Sequence, residues 1–253
     1  MSLVLGLNGT YQNTKFTKLT VGDSSANENY YIQVGTITGG TGGYLQQDRV
    51  GYAPNVFYCY QQVYDSDGNP IQNAFVDRDG DGSITENDRY LTGKKPMPDF
   101  YYGVNLKFRY KNWDFGFNGH GSEGNWMFYD YYQSHSTSAN DNLNYSLLYN
   151  YPEIVRKTGW TATSNTAQGY SDYWLYDASF FKIDDVNIGY TFKKMFNTNA
   201  TARLALTANN VLVITKYPGV DPEGSYASVT ANGIDSDCAP KIRTYTLRLN
   251  INF

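Results

Sequence analysis

No run of ~18 or more apolar residues occurs in this sequence, so none of its helices could cross a bilayer, which takes ~20. Charge is also scarce. Charged residues make up 17% and the formal net charge is −4. Without a basic excess to neutralise phosphates, nucleic acid is excluded as a partner. Cysteine and histidine number two each. His120 and His135 lack ligand spacing, and there is no zinc pattern, phosphate loop or nucleophile elbow. Cys59 and Cys238 would pair only in an oxidising compartment, and their spacing leaves that open. Asp172, Asp177, Asp184 and Asp185 read as ordinary loop acids rather than a glycosidase pair, so no catalytic residue is expected. The opening MSLVLGLNGTY has neither a basic stretch nor a long apolar one, and no signal peptide is expected there.

Aromatics are abundant at 17%, with 25 Tyr, alongside 24 Gly. Together with few helix formers, this composition predicts an all-β chain. The final stretch, TYTLRLNINF, carries the clearest signal. Tyr245, Leu247, Leu249, Ile251 and Phe253 alternate with Thr244, Thr246, Arg248, Asn250 and Asn252. Successive strand residues face opposite sides, so one face is wholly apolar and the other wholly polar. Its length suits a strand tilted across a bilayer, which takes about 9–11 residues. The same alternation fits a half-buried strand of a soluble sandwich.

Similar alternation predicts a strand from about residue 3 to 20, another over 100–110, and a third from Trp113, joined to the second by Lys111-Asn112 in a tight hairpin. A weaker strand is predicted over 55–64, followed by a turn at DSDGNP. In residues 179–192 the apolar positions switch from odd (Phe181, Ile183) to even (Val186, Ile188, Tyr190, Phe192), which predicts a bulge near Asp184-Asp185. A short link leads to a strand over 202–208.

The connections then run long, short, long, short, long. That alternation is the signature of an outer-membrane β-barrel, with short periplasmic turns and long extracellular loops near 22–99, 126–178 and 215–241. Tyr110 and Trp113 would sit in an aromatic girdle at the short-turn end. The cluster Trp126, Phe128, Tyr129, Tyr131 and Tyr132 would form the outer girdle or stack on a sugar. About six strands cannot close a barrel, so the whole of 1–253 is expected to be the C-terminal part of a larger one. A secreted soluble β-sandwich that binds glycans is the alternative; there the apolar rows would have to meet a second sheet.

Residues 77–88 within the 21–99 loop region, DRDGDGSITEND, have calcium-loop spacing. Asp77, Asp79 and Asp81 take positions 1, 3 and 5, Gly82 allows the sharp turn, Ser83 offers its carbonyl, and Asp88 stands where Glu is usual. The expected role of Ca2+ is structural, although acidic turns of this composition also occur without metal.

The segments GLNGTYQNTKFTKL, FVDRDGDGSITENDR, PMPDFYYGVNLKFRYKNWDFGFNGHGSEGN, SDYWLYDASFFKIDDVNIGYTF, LTANNVLVITKYPGVDPE and RTYTLRLNINF, in this order, resemble the C-terminal part of SusC/RagA-type TonB-dependent outer-membrane transporters of Bacteroidetes. The resemblance implies a 22-stranded barrel in outer-membrane lipid, with a plug and TonB box upstream. It further implies a SusD-like lipoprotein partner and uptake of oligosaccharides, or peptides in some relatives, driven by TonB–ExbB–ExbD. Phe253 would match the family's terminal assembly signal.

Overall fold

The computed structural model describes residues 1–21, 30–38, 40, 43–136, 153–161, 166–195, 200–224, 232–236 and 238–253. In chain order the strands are β1 (Ser2–Tyr11), β2 (Tyr31–Val34), β3 (Gln46–Arg49), β4 (Val56–Tyr60), β5 (Gln62–Tyr64), β6 (Pro70–Phe75), β7 (Arg89–Leu91), β8 (Phe100–Tyr110), β9 (Trp113–Glu123), β10 (Trp126–Phe128), β11 (Leu175–Asp177), β12 (Phe180–Met195), β13 (Ala200–Thr215) and β14 (Thr244–Asn252). Two short helices, α1 (Asp130–Ser134) and α2 (Glu153–Thr158), lie in the second long connection.

Six long strands form one antiparallel sheet in the order β1-β8-β9-β12-β13-β14. Its register aligns the apolar rows. Leu5 faces Leu106, which faces Phe117, then Val186, Ala208 and Tyr245. Opposed side chains share a face, so a single apolar surface runs across all the strands. Nothing covers it: Leu3, Leu5, Leu7, Leu247 and Leu249 are 57–70% exposed. The rows of β8 and β14 thus meet no second sheet, as a soluble sandwich would demand. An apolar surface this continuous marks a lipid or partner contact.

The bulge is present: both neighbours of β12 shift register between Ile183 and Asp185. On β13 the extra residues include Asn210, held in the left-handed region at φ 52. The single extra residue on β12 switches its side-chain parity, which keeps Ile183 and Val186 on the same apolar surface.

Three sequence expectations need correction. β1 stops at Tyr11, opposite Phe100 where β8 begins, although Gln12 N–H still reaches the Asp99 carbonyl in register and its amide reaches Pro98. The 55–64 strand is two strands, β4 and β5, interrupted at Gln61. β13 reaches Thr215, well beyond 208, since Leu212 and Ile214 resume the pattern past the bulge. The link at 196–199 and residues 137–152 lie outside the described residues.

At one end the wall strands join through tight connections such as Lys111-Asn112, with Lys111 at φ 52 and the Asn112 carbonyl accepting from Thr191 N–H. At the other end the three long connections do not form separate loops. They fold together into one cap with its own core. Ile37, Leu45, Phe57, Cys59, Phe75, Phe128, Ile154, Trp160, Tyr170, Trp174 and Ile234 are buried in a single cluster drawn from all three. Hydrogen bonds stitch the connections together: Phe128 N–H donates to Gly233 O, Asp235 N–H to Phe128 O, and Gln46 Nε2 to Asn232 O. Buried Asp130 accepts from Thr38 N–H, Thr38 Oγ1 and Ser236 Oγ. Gln62 is a second hub, donating to Ile71 O and Ala74 O and accepting from Gln168 and Ser171. Buried polar groups satisfied as Asp130 and Gln62 are favour one arrangement of the cap.

The cap also corrects the expected outer girdle. Phe128 and Tyr129 are buried in cap clusters, not displayed at a rim. The outer ends of the apolar rows supply the aromatics instead: Tyr11, Phe100, Tyr102, Phe181 and Tyr245, with Tyr102 stacked on Phe181 at 6.0 Å. At the tight-turn end Tyr110 and Trp113 are half exposed, as expected, and Trp113 packs edge-on against Tyr190 at 4.8 Å.

Candidate functional site

The face of the sheet opposite the apolar rows is mostly polar, with only scattered apolar residues such as Val4 and Val213. Near the tight turns it carries Lys107, Arg109, Arg203 and Arg248, and a bidentate pair joins Arg203 to Asp114 at 2.5 and 3.0 Å. Higher up, Asn105 donates to Asn118, which donates to Asp185 at 2.6 Å. The bulge has a consequence here. It releases Asp184 from the ladder, so that consecutive aspartates both serve the polar face, and the Asp184 carboxylate sits 2.6 Å from His120 Nδ1.

Below the cap this face ends in a cluster of charges. Glu223, from the β13–β14 connection, accepts from Lys182 at 2.5 Å and Lys241 at 2.6 Å and lies 2.9 Å from His120 Nε2. Burial opposes ionisation of Glu223, but hydrogen bonds from Lys182, Lys241 and His120 outweigh it and hold its carboxyl at about 2, below the ordinary 4.5. A depressed carboxylate pKa contributes stability that is complete above 4.5 and is lost as pH falls through about 2. Glu223 therefore ties the third connection to β9 and β12 at every physiological pH. Glu223→Gln is expected to speed amide exchange in 216–224 at least about tenfold, the worth of one charge-assisted hydrogen bond, and to leave the wall strands unchanged. Hydrogen-exchange mass spectrometry on the intact protein at neutral pH reads this directly.

Beside the cluster lies a pocket of about 330 Å³ between wall and cap, lined by Tyr101, Trp126, Phe180, Ser122, Asn125, His120 and Glu223 among others. Aromatic faces with convergent polar groups are what a small organic ligand requires.

In the 77–88 loop, the carboxylate oxygens of Asp77, Asp79 and Asp81 lie within 4.8 Å of one another at the surface. Backbone N–H groups turn in to hold them: Gly80 and Gly82 donate to Asp77, Asp81 to Asp79, and Ser83 to Asp81. Gly82 has φ 84, the left-handed conformation this turn needs. Asp88 stands apart from the three. It is buried, and its carboxylate accepts from the N–H groups of Arg78, Asp79 and Thr85, closing the loop from behind. The hydrogen bonds from Thr85 and Arg78 hold its carboxyl below the usual range. Three hard oxygens of like charge, crowded together, fit a divalent cation such as calcium, with Asp88 and Ser83 positioning the loop.

The remaining candidates serve the fold. Asp172 accepts from Gln62 N–H and the Tyr90 hydroxyl, and Asp177 from Ser179 N–H, so these acids do not converge with Asp184 and Asp185. His135 stacks on Tyr131 at 4.4 Å. Neither Cys59 nor Cys238 forms a disulfide; Cys59 is in the cap core, where burial pushes its thiol well up. The pocket and the Glu223 cluster escaped the sequence reading, because their members come from residues 101 to 241 and share no local spacing.

No model of a known protein family matches the chain. The TonB-dependent receptor SusC of Bacteroides thetaiotaomicron does match it, at 36% identity over 98% of this chain and 24% of its own length. The chain belongs to the SusC/RagA-type TonB-dependent receptors. A second member, TonB-dependent receptor P3 of Formosa agariphila, is 28% identical over 95% of the chain and 27% of its own length. In three dimensions the RagAB peptide transporter superposes with TM-score 0.68 at 20% identity, covering 98% of this chain and 27% of that one. The RagAB peptide importer in its open-open state gives 0.66 at 18%. The chain thus spans about a quarter of the receptors it matches. The six-stranded sheet corresponds to receptor barrel wall. These relatives are receptors and transporters, not enzymes.

Proposed function

We propose that this chain forms wall and external cap of an outer-membrane receptor that imports nutrients with energy from TonB–ExbB–ExbD, coupled through regions of the receptor outside the chain. The observation that carries this reading is the six-strand sheet itself: one face continuously apolar and exposed, the other predominantly polar. Lipid on one side and a hydrated lumen on the other account for both faces. The tight turns then lie in the periplasm and the cap lies outside the cell. Oligosaccharides, the substrate class that the sequence resemblance implies, suit the pocket's aromatic faces, and a SusD-like surface lipoprotein would cover the cap. Fractionation of source cells should place the whole receptor in the outer membrane as a heat-modifiable band. Deleting the gene should abolish uptake of labelled oligosaccharide but not of labelled peptide. A soluble band of 28.6 kDa would defeat the reading, and loss of peptide uptake alone would reassign the substrate.

Calcium at Asp77, Asp79 and Asp81 would neutralise three clustered charges and hold this external loop in shape. External calcium at ~100 times its dissociation constant would stabilise the loop by about 2.7 kcal/mol. EDTA is therefore expected to expose 77–88 to protease and calcium to restore protection, whereas an Asp79→Asn, Asp81→Asn double variant should be cleaved equally with or without metal.

A further inference from the structure

The apolar face is not smooth. Between β9, β12, β13 and β14, toward the tight-turn end, it holds a groove of about 450 Å³. Trp113, Tyr190 and Phe192 form one side as a chain of edge-on aromatic contacts, at 4.8 and 4.7 Å, and Ile188, Leu204, Leu206 and Leu247 complete it. All four strands that shape the groove are consecutive in the sheet. From Ile188 to Phe192 a strand rises ~14 Å. Strands of such a wall tilt ~40°, so that rise covers ~10 Å of the ~12 Å that is half its ~25 Å apolar band, and the groove runs most of the depth of one leaflet, ending near its rim.

That rim is basic. Lys111 occupies the β8–β9 turn, its ammonium 5.3 Å from the Tyr110 ring, and Lys193 follows Phe192; both are exposed. Between residues 193 and 200 the sequence contains no acid, and Asp114, the acid next to the turn, is engaged by Arg203 on the opposite face. Long cationic side chains at such a rim reach to headgroup level. We infer that the groove is a binding site for one phospholipid of the periplasmic leaflet, with an acyl chain along Ile188, Leu204, Leu206 and Leu247 and the phosphate between Lys111 and Lys193. A second copy of the chain is a poorer occupant, since a flat partner face would leave the groove unfilled and the lysines facing lysines.

The inference rests on the membrane reading above, and its test separates the two. The full receptor would be extracted from outer membranes in mild detergent, weighed by native mass spectrometry, and titrated with phosphatidylethanolamine. Wild type should retain one phospholipid per receptor. Leu206→Trp, which fills the groove, should lose it, while Leu5→Trp, on the same face but outside the groove, should keep it. Lys111→Glu with Lys193→Glu should weaken retention about fivefold per lysine. All variants should still give the heat-modifiable outer-membrane band. A wild-type receptor free of phospholipid, equal retention by Leu206→Trp and Leu5→Trp, or paired receptors in place of bound lipid would each overturn the site while leaving the band intact. Absence of the band in wild type would overturn the membrane reading instead.

Discussion

Replacing Trp174 with alanine is expected to open the cap and leave the wall standing. Trp174 is wholly buried, packs edge-on against Trp160 at 5.5 Å and Tyr173 at 4.9 Å, and donates its indole N–H to Gln168 O at 2.9 Å. Removing it costs about 3–5 kcal/mol as a cavity and leaves the Gln168 carbonyl with only the longer bond from Ser171 N–H. The cap has no reserve against such a loss, because its strands are short and its helices have five and six residues. The wall is held by a different set of bonds, the long ladders of β8, β9, β12 and β13. Limited proteolysis of the receptor in outer membranes should therefore cut Trp174→Ala within the cap while the heat-modifiable barrel persists. Loss of both together would show that cap and wall are one cooperative unit.

Leu247→Arg is expected to remove most of the receptor from the outer membrane, and Thr246→Arg to be tolerated. The two residues are neighbours near the middle of β14 and point to opposite faces; Leu247 stands opposite Leu206 and Thr246 opposite Thr207. Arginine on the lipid face near mid-depth costs about 2–4 kcal/mol, whereas on a hydrated inner face it meets water and joins Arg203 and Arg248. Comparing receptor levels in purified outer membranes for the two variants measures the asymmetry of the wall directly. Equal loss would mean that both faces are dry.

The wall was legible from sequence because a two-residue period is a local property, readable along each strand without knowledge of its partners. Even the bulge showed, as the change from Ile183 to Val186 in apolar parity. The ends of strands were less legible: β1 stops at Tyr11 where its partner β8 begins at Phe100, a residue far along the chain. The cap was invisible, and for a physical reason. Its core gathers single residues such as Ile37, Phe75, Trp160 and Ile234, each set in polar surroundings, so no window of sequence contains the pattern. The spacing of the acidic loop brings the carboxylates of Asp77, Asp79 and Asp81 together. It did not foretell that Asp88 would spend its oxygens on backbone N–H groups, since that depends on how the chain returns through Thr85.

The knitting of three connections into one cap also bears on the order of assembly. Gln46 and Asn232, bonded to each other, are 186 residues apart, and Asp130 and Ser236 are 106 apart. Closing loops that long gains nothing until their ends are brought together, and here it is the wall ladders that bring them together. The cap is thus expected to be the last part of this chain to become native. Until then Trp160, Trp174 and Phe128 remain uncovered, and the nascent chain presents sticky surface at the end of the sheet opposite its tight turns.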